Sequence, residues 1–539
     1  MKKLFELPPF VQALGIALLI LGGAYLLFGR GPVAEESKRL FSTSISDFPE
    51  AKASETIELK NGDTFNLAAS VVKKKIGSET LKMLAYNGSI PGPLIKIPQG
   101  AEIAINFTNN TDVETTVHSH GVRLENKFDG VPEILQEPIK PGQSFVYKIK
   151  FPDAGIYWYH PHLREDYAQE LGLYGNFLVV PGSDGYWSPV NREVTLFLDD
   201  ILVENGAAQF YTALTDRALM GRFGNTMLVN GEIDYKLDAK RGEVIRFYIT
   251  NSANTRVFNV AIPGAKMKLV GSDGGKYEKE TWAESVIISP SERATVEVFF
   301  ENAGTYPLQH KTPNKTYALG NISVSDEGVS RSYAREFSNL KTNSDVREGI
   351  DPFRAYFTKT PDKRISLDVD MGTMMNNTMS NMMSSPAEHG AGHGMSNNQI
   401  VGGDGEKIEW EEDGMNGAMN KESTNKMITW KIVDQDTRKE NEDIQWRFKV
   451  GDKVKIKIFN DPNSMHPMQH PIHIHGQRFL VVSVNGQAQG NLVWKDTVLV
   501  EKGDSVELLV DMSNPGTWMI HCHIPEHLES GMDMSFEVI

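Results

Sequence analysis

Cysteine is almost absent: Cys522 is the only one in 539 residues. A single thiol excludes any disulfide within the chain, so this residue is free for other work. Positive charge is also in deficit. Lys and Arg number 55 against 70 Asp and Glu, a net charge of −15, which argues against nucleic acid or an anionic membrane surface as the main partner. Charge is missing altogether from Phe10 to Phe28, nineteen residues that follow Lys2 and Lys3. That length spans a bilayer as a helix, and the preceding lysines favour a cytoplasmic N-terminus. No small-residue cleavage site of the Ala-x-Ala kind stands in the following "GRGPVAEESKRL". The expectation is a transmembrane helix that anchors the protein, over residues 1–30, and a linker over 31–54. The rest would be exported to the extracytoplasmic side, in the periplasm or at the cell surface. A cleaved signal and a secreted form are the alternative.

What is present is repetition. "GAEIAINFTN" starts at Gly100, "GEVIRFYITN" at Gly242 and "GDKVKIKIFN" at Gly451. Apolar residues alternate in each: Ile103, Ile105, Phe107; Ile245, Phe247, Ile249; Val454, Ile456, Ile458. Period-two alternation with β-branched residues marks a half-buried strand. A second phrase closes each unit: "DAGIYWYHPH" ending at His162, "NAGTYPLQHK" at Lys311 and "NPGTWMIHCH" at His523. Both phrases show a longer interval between the second and third copies, so an insertion lies there. From Asp351 to about Asn425 the chain turns polar and methionine-dense, without strand periodicity. The expected fold is all-β: three consecutive domains over 55–183, 184–348 and 426–539, with 349–425 a Met/His-rich linker insertion.

Ten of the fourteen histidines fall in four groups: "HSH" (118–120), "HPH" (160–162), "HPIHIH" (470–475) and "HCHIPEH" (521–527). Successive side chains of a strand point to opposite faces. His118 with His120, His160 with His162, His473 with His475, and His521 with His523 therefore each aim two rings to one side. Cys522, between the last two, must point the other way. One strand then serves two metal sites and joins them through a few covalent bonds. Left over are His470 and His527, with Met532 five residues further on. A thiolate, two imidazoles and a weak axial thioether form the ligand set of a blue-copper electron-transfer site. Zinc takes similar ligands but transfers no electrons, which would leave the bridging cysteine without a purpose.

These residues resemble the multicopper oxidases, laccase-like enzymes of three cupredoxin domains, over roughly residues 55–539. The resemblance implies four coppers per chain. Cys522, His470, His527 and Met532 match the type 1 ligands, and His118 and His473 the type 2 ligands. His120, His160, His162, His475, His521 and His523 match the type 3 pair. It further implies one-electron oxidation of a donor at type 1 and four-electron reduction of dioxygen to water at the trinuclear cluster. Asp129, in "FDGVP", matches an acidic residue near type 2 copper and is assigned to proton delivery. A nitrite reductase would lack the paired type 3 ligands. The middle unit has Gln309 where the others have His160 and His521, and its lone His310 reads as structural, in a copper-free spacer.

Two features depart from the family. Bacterial members often carry Glu directly after the histidine matching His527, where this chain has Leu528, with Glu526 and Glu529 nearby. Cuprous-oxidising members have a methionine matching Met468 and an acidic residue two positions earlier, where this chain has His466. His466 and Met468 are candidate ligands for a substrate copper. Cuprous ion prefers thioether and imidazole, and the insertion supplies Met371, Met374, Met375, Met379, Met382, Met383, Met395, Met415 and Met419 with His389 and His393. Cu(I) is therefore the favoured donor. Phenols or aromatic amines are the alternative, and copper sequestration at the membrane surface is a third.

Overall fold

The computed structural model describes residues 44–45, 47–132, 134–208, 210, 214–372, 407–412 and 414–539. The charge-free run Phe10–Phe28 and most of the methionine-dense insertion lie outside them. Among the described residues no helix is long and apolar enough to cross a membrane.

Six sheets form three pairs along the chain. The strands Glu102–Asn110, Glu243–Asn251 and Lys453–Asn460, opened by the three repeated glycine phrases, lie inside one sheet of each pair. Each runs parallel to an earlier strand, Thr64–Ile76, Arg192–Ile201 and Lys363–Asp370 respectively. On its other side each pairs antiparallel with Ser144–Lys150, Arg293–Phe300 or Ser505–Asp511. The alternating apolar residues explain why. Ile103, Ile105 and Phe107 are buried, as are Val454, Ile456 and Ile458. The closing phrases become strands Gly155–His160, Gly304–Lys311 and Gly516–Cys522 in the opposite sheet of each pair. Each pair is a sandwich of the cupredoxin-like kind, built twice with five-stranded closing sheets and six-stranded opposite sheets, and once, in the first unit, as five on four.

The stretch 349–425 is not simply a linker. Lys363–Asp370 is a strand of the third sandwich, parallel to Lys453–Asn460 and antiparallel to Thr429–Asp434. Its Ile365, Leu367 and Val369 alternate and are buried. A helix, Gly414–Glu422, and a short helix, Ser344–Ile350, flank it. The third sandwich thus begins before the insertion, which interrupts its first pair of antiparallel strands.

The three sandwiches belong to one contact unit, residues 43–209 with 215–539. First and third meet at Gly516, whose φ of 141° and missing side chain admit Asn126. A Cβ there would come within 2.5 Å of the Asn126 carboxamide. That carboxamide donates to Thr517 O at 2.6 Å and accepts from Thr517 N at 3.2 Å, so it clamps the start of the cysteine strand to the first sandwich.

Ile456 is 1% exposed in the third core. Ile456→Ala should cost about 2–5 kcal/mol through lost burial and a residual cavity. Calorimetry should show a lower unfolding temperature, and an unchanged one would contradict this packing.

Candidate metal centre

Two hairpin-like pairs build the centre. In the first sandwich His118–His120 lies antiparallel to Gly155–His160, with His118 opposite His160. In the third, His470–Ile474 lies antiparallel to Gly516–Cys522, with His473 opposite His521 and Ile472 opposite Cys522. The rings then mesh across the two sandwiches. His120 stacks on His473 with centroids 3.7 Å apart, and His118 lies 4.2 Å from His475. His160 is 5.0 Å from His523, and His162 is 5.2 Å from His521.

Four sets of groups have ligand atoms all within 4.8 Å of one another and comprise only His and Cys: His118, His120 and His473; His120, His160 and His523; His162, His475 and His521; and His470, Cys522 and His527. Most His-x-His pairs are divided. In three pairs, His160 with His162, His473 with His475 and His521 with His523, the two rings reach different sets; His118 and His120 share one set, and His120 also reaches a second, so every pair touches two neighbouring positions. On the far side of the strand, Cys522 Sγ lies 3.6 Å from both His470 Nδ1 and His527 Nδ1. Met532 is fully buried and placed by its backbone, which accepts from Cys522 N at 3.1 Å and donates to His527 O at 3.0 Å.

The outer nitrogens of most rings are held by the protein. Nδ1 of His118 donates to Asp129 O at 2.7 Å, that of His160 to Pro161 O at 2.7 Å, and that of His473 to Asp496 O at 2.8 Å. His475 Nδ1 donates to Asp129 Oδ2 at 2.7 Å and His521 Nδ1 to Cys522 O at 2.9 Å. His120 is turned round: its Nε2 donates to Asp496 Oδ1 at 3.1 Å. The inner nitrogens have no such partner. Nε2 of His118, His160, His162 and His473, Nδ1 of His120, and both nitrogens of His523 are buried and unbonded. His475 Nε2 and His521 Nε2 face each other at 3.0 Å. With both Nδ1 protons already donated outward, these are two bare lone pairs in contact, which only a shared cation makes favourable.

Burial also selects the ligating charge state. It pushes His160, His162, His473 and His521 well below the usual imidazole range, with neighbouring rings adding to the effect. It takes His475 to about 4 and His523 and His470 to about 3. Neutral imidazoles are what a metal requires. Burial pushes the Cys522 thiol up, a cost that metal coordination removes by deprotonating it. The donor set of buried imidazoles with one thiolate and a thioether therefore fits copper.

Asp129 is buried, bonded to His475, with Oδ1 3.4 Å from His118 Nδ1. Burial alone would raise its carboxyl, but His118 and His475 outweigh that and hold it well below the usual carboxylate range. His310, in the middle sandwich, accepts from Asn259 N at 3.0 Å and stacks on Tyr317. His466 and Met468 are both buried. His466 has an unpartnered Nε2, and burial takes it to about 4. His389, His393, Met374, Met375, Met379, Met382, Met383 and Met395 lie outside the described residues, as does the Met415 side chain. Met371 and Met419 pack in the third core instead.

Two neighbours of the centre, Trp430 and Glu165, carry no sequence signal, whereas Glu526 and Glu529 are the acidic residues already evident near Leu528. Trp430 stacks on His527 with centroids 4.1 Å apart and meets His470 edge-on at 4.9 Å. Glu165 is buried with both carboxylate oxygens unbonded, 3.6 Å from His162 Nδ1. Glu526 accepts from Asn254 at 3.2 Å, and burial raises it to about 8. Glu529 accepts from Arg164 N at 3.0 Å, and burial with Asp166 nearby raises it to about 7.

The facing lone pairs of His475 and His521 imply that the protein gains stability from metal. A ligand at 1,000 times its Kd adds about 4 kcal/mol. Calorimetry should show the unfolding temperature dropping on copper removal and returning on copper readdition; equal temperatures would contradict the centre.

Family models described as multicopper oxidase match residues 69–184, 192–330 and 407–539. The chain is 27% identical over 461 residues to a multicopper oxidase of Staphylococcus aureus, covering 83% of this chain and 82% of that one. It is 24% identical to copper resistance protein A of Escherichia coli, with 87% and 92% covered. The solved structure of a multicopper oxidase from Campylobacter jejuni, described as a metallo-oxidase, shares the fold with a TM-score of 0.65 at 24% identity, over 92% of this chain and 99% of that one. Three matched segments that take in every histidine of the four sets, on three cupredoxin-like sandwiches, make the chain a member of the multicopper oxidases, a copper-dependent oxidoreductase of the laccase-like kind.

Proposed function

We propose that this oxidase takes its electrons from cuprous ion and serves copper tolerance. The observation that carries this reading is the burial of the imidazoles beside Cys522. His470 is 1% and His527 0% exposed. Trp430 covers both rings, and its indole N–H donates to Ala218 O at 2.8 Å, which ties the cover to a neighbouring segment. A phenol needs an open groove over these rings, and the described residues leave them closed. Met220, Met371, Met419 and Met468 share one core cluster with Cys522 and Met532, so the same core is rich in thioethers. His466, whose Nε2 is unpartnered and whose ring centroid lies 6.5 Å from that of Trp430, is the imidazole offered to a substrate copper with Met468. The kinship with copper resistance protein A and with a metallo-oxidase supports the same donor. Phenol oxidation is the second reading, favoured by the kinship with a protein described as a putative laccase of rice.

In this reading His470, Cys522, His527 and Met532 hold the type 1 copper, His118 and His473 type 2, and the His120, His160, His523 and His162, His475, His521 sets the type 3 pair. Copper, when bound, supplies one-electron oxidation of the donor and four-electron reduction of dioxygen to water. The chain supplies the wiring: the Cys522 backbone joins the thiolate to the His521 and His523 rings on the opposite face. The Asp129 carboxylate holds His475 Nδ1–H and presents Oδ1, free of hydrogen bonds, to move a proton. The anchor expected over residues 1–30 supports placement on the extracytoplasmic side of a membrane, where a copper-tolerance oxidase meets incoming metal.

Cys522→Ser should abolish the blue thiolate-to-copper band and keep the near-ultraviolet shoulder of the coupled pair. Loss of both, or of neither, contradicts the two-faced strand. Oxygen consumption separates the donors. Deleting residues 373–406, which spares the strand and helix on either side, should reduce cuprous oxidation at least tenfold while a phenolic dye is oxidised at the same rate or faster. Equal cuprous activity in both proteins would refute the donor assignment.

A further inference from the structure

Among the described residues the middle sandwich gives no ligand to the four sets, yet it reaches the cluster through one side chain. Arg293, at the start of the strand Arg293–Phe300, is 1% exposed. Its Nη1 donates to Asp496 Oδ1 at 2.6 Å and its Nη2 to Asp496 Oδ2. The fork is anchored on two further sides: Nε donates to Ile156 O of the first sandwich at 3.2 Å, and Nη1 to Ser291 O of the middle one at 3.0 Å. All three sandwiches meet on this guanidinium.

Asp496 in turn holds two metal-facing rings. Its Oδ1 accepts from His120 Nε2 at 3.1 Å, and its backbone carbonyl accepts from His473 Nδ1 at 2.8 Å. Thr497 donates to the same Oδ1 at 3.0 Å and lies 3.0 Å from His120 Nε2 and 3.2 Å from His473 Nδ1. The Asp496–Thr497 pair thus sets which nitrogen of His120 faces inward and keeps the two rings stacked. The approach is close enough to require Gly121, at φ 81°: a Cβ there would stand 2.3 Å from Asp496 Oδ2 and 2.8 Å from Arg293 Nη2.

On the copper reading given above, we infer that Arg293 is a positioning residue of the trinuclear centre, acting through Asp496 on His120 and His473. The physical ground is the bidentate fork. A carboxylate free to rotate, or left without a counter-cation, would no longer fix the His120 ring in its ligating orientation. The middle sandwich is then more than a spacer, because the type 2 position and one type 3 position assemble only when it is docked.

The test uses the full chain, stripped of copper and titrated with cupric ion, with copper per chain, the blue band, the near-ultraviolet shoulder and the type 2 paramagnetic signal as readouts. Arg293→Met should weaken copper uptake at the trinuclear positions about 10- to 100-fold, the range typical of residues that hold metal ligands. The shoulder and the type 2 signal should fail while the blue band fills normally. Arg293→Lys should recover only part, since an ammonium keeps the charge without the fork. Arg246→Met removes another buried arginine of the same sandwich, one paired with Glu297 and Glu193; it should lower the unfolding temperature without that selective loss. If Arg293→Met does not fold, Asp496→Asn must show the same selective loss of shoulder and type 2 signal. The inference is overturned if Arg293→Met fills all positions as the wild type does, or if all signals weaken in parallel as in a general destabilisation. A wild-type protein that takes up no copper would instead overturn the copper assignment itself.

Discussion

The period of the β-strand is the constraint on which the centre turns. Along Gly516–Cys522 and its continuation, neighbouring side chains must face opposite ways. His521 and His523 therefore enter one cavity while Cys522 enters another, and no rotamer change can merge the two. Everything else serves this division. His470 and His527 close on the sulfur from one side at 3.6 Å, and the first sandwich brings four rings to the other. The distance between the two cavities is set by covalent geometry, which neither packing nor thermal motion can alter much.

Holding eight imidazoles in one buried space is costly, and the structure shows how the cost is contained. Their outer nitrogens donate mostly to backbone carbonyls and to two carboxylates, Asp129 and Asp496. Those bonds fix the tautomers of six of the eight rings, all but His162 and His523, before any metal arrives. What they cannot satisfy is the inward set of lone pairs, most visibly between His475 and His521. The site is preorganised on its outside and frustrated on its inside, the combination that makes a bound cation part of the fold.

The repeated phrases and the alternation of apolar residues made the three sandwiches readable from the chain alone, because a half-buried strand must alternate. The strand Lys363–Asp370 escaped notice for a physical reason. Its Ile365, Leu367 and Val369 alternate as well, but they stand against a polar, methionine-dense sequence that dominates any window drawn around them. The metal sets were legible in part. Period two separates Cys522 from its neighbours, and the resemblance divides the histidines among the copper types. That three of the pairs split between neighbouring sets follows from how two sandwiches face each other. Trp430, Glu165, Asp496 and Arg293 were invisible because their roles depend on contacts across long sequence separations: Asp496 lies 376 residues from His120 and 203 from Arg293. An aspartate or a tryptophan carries no mark of the ring it will touch.

The central claim is that one strand feeds two separate copper sites on its opposite faces. Anomalous scattering from crystals of the copper-loaded protein, collected at the copper edge, tests it most directly. Four peaks are predicted, the family's usual complement: one between Cys522, His470 and His527, and three among the eight imidazoles beyond the strand. A single peak, or several on only one side of Cys522, would contradict it.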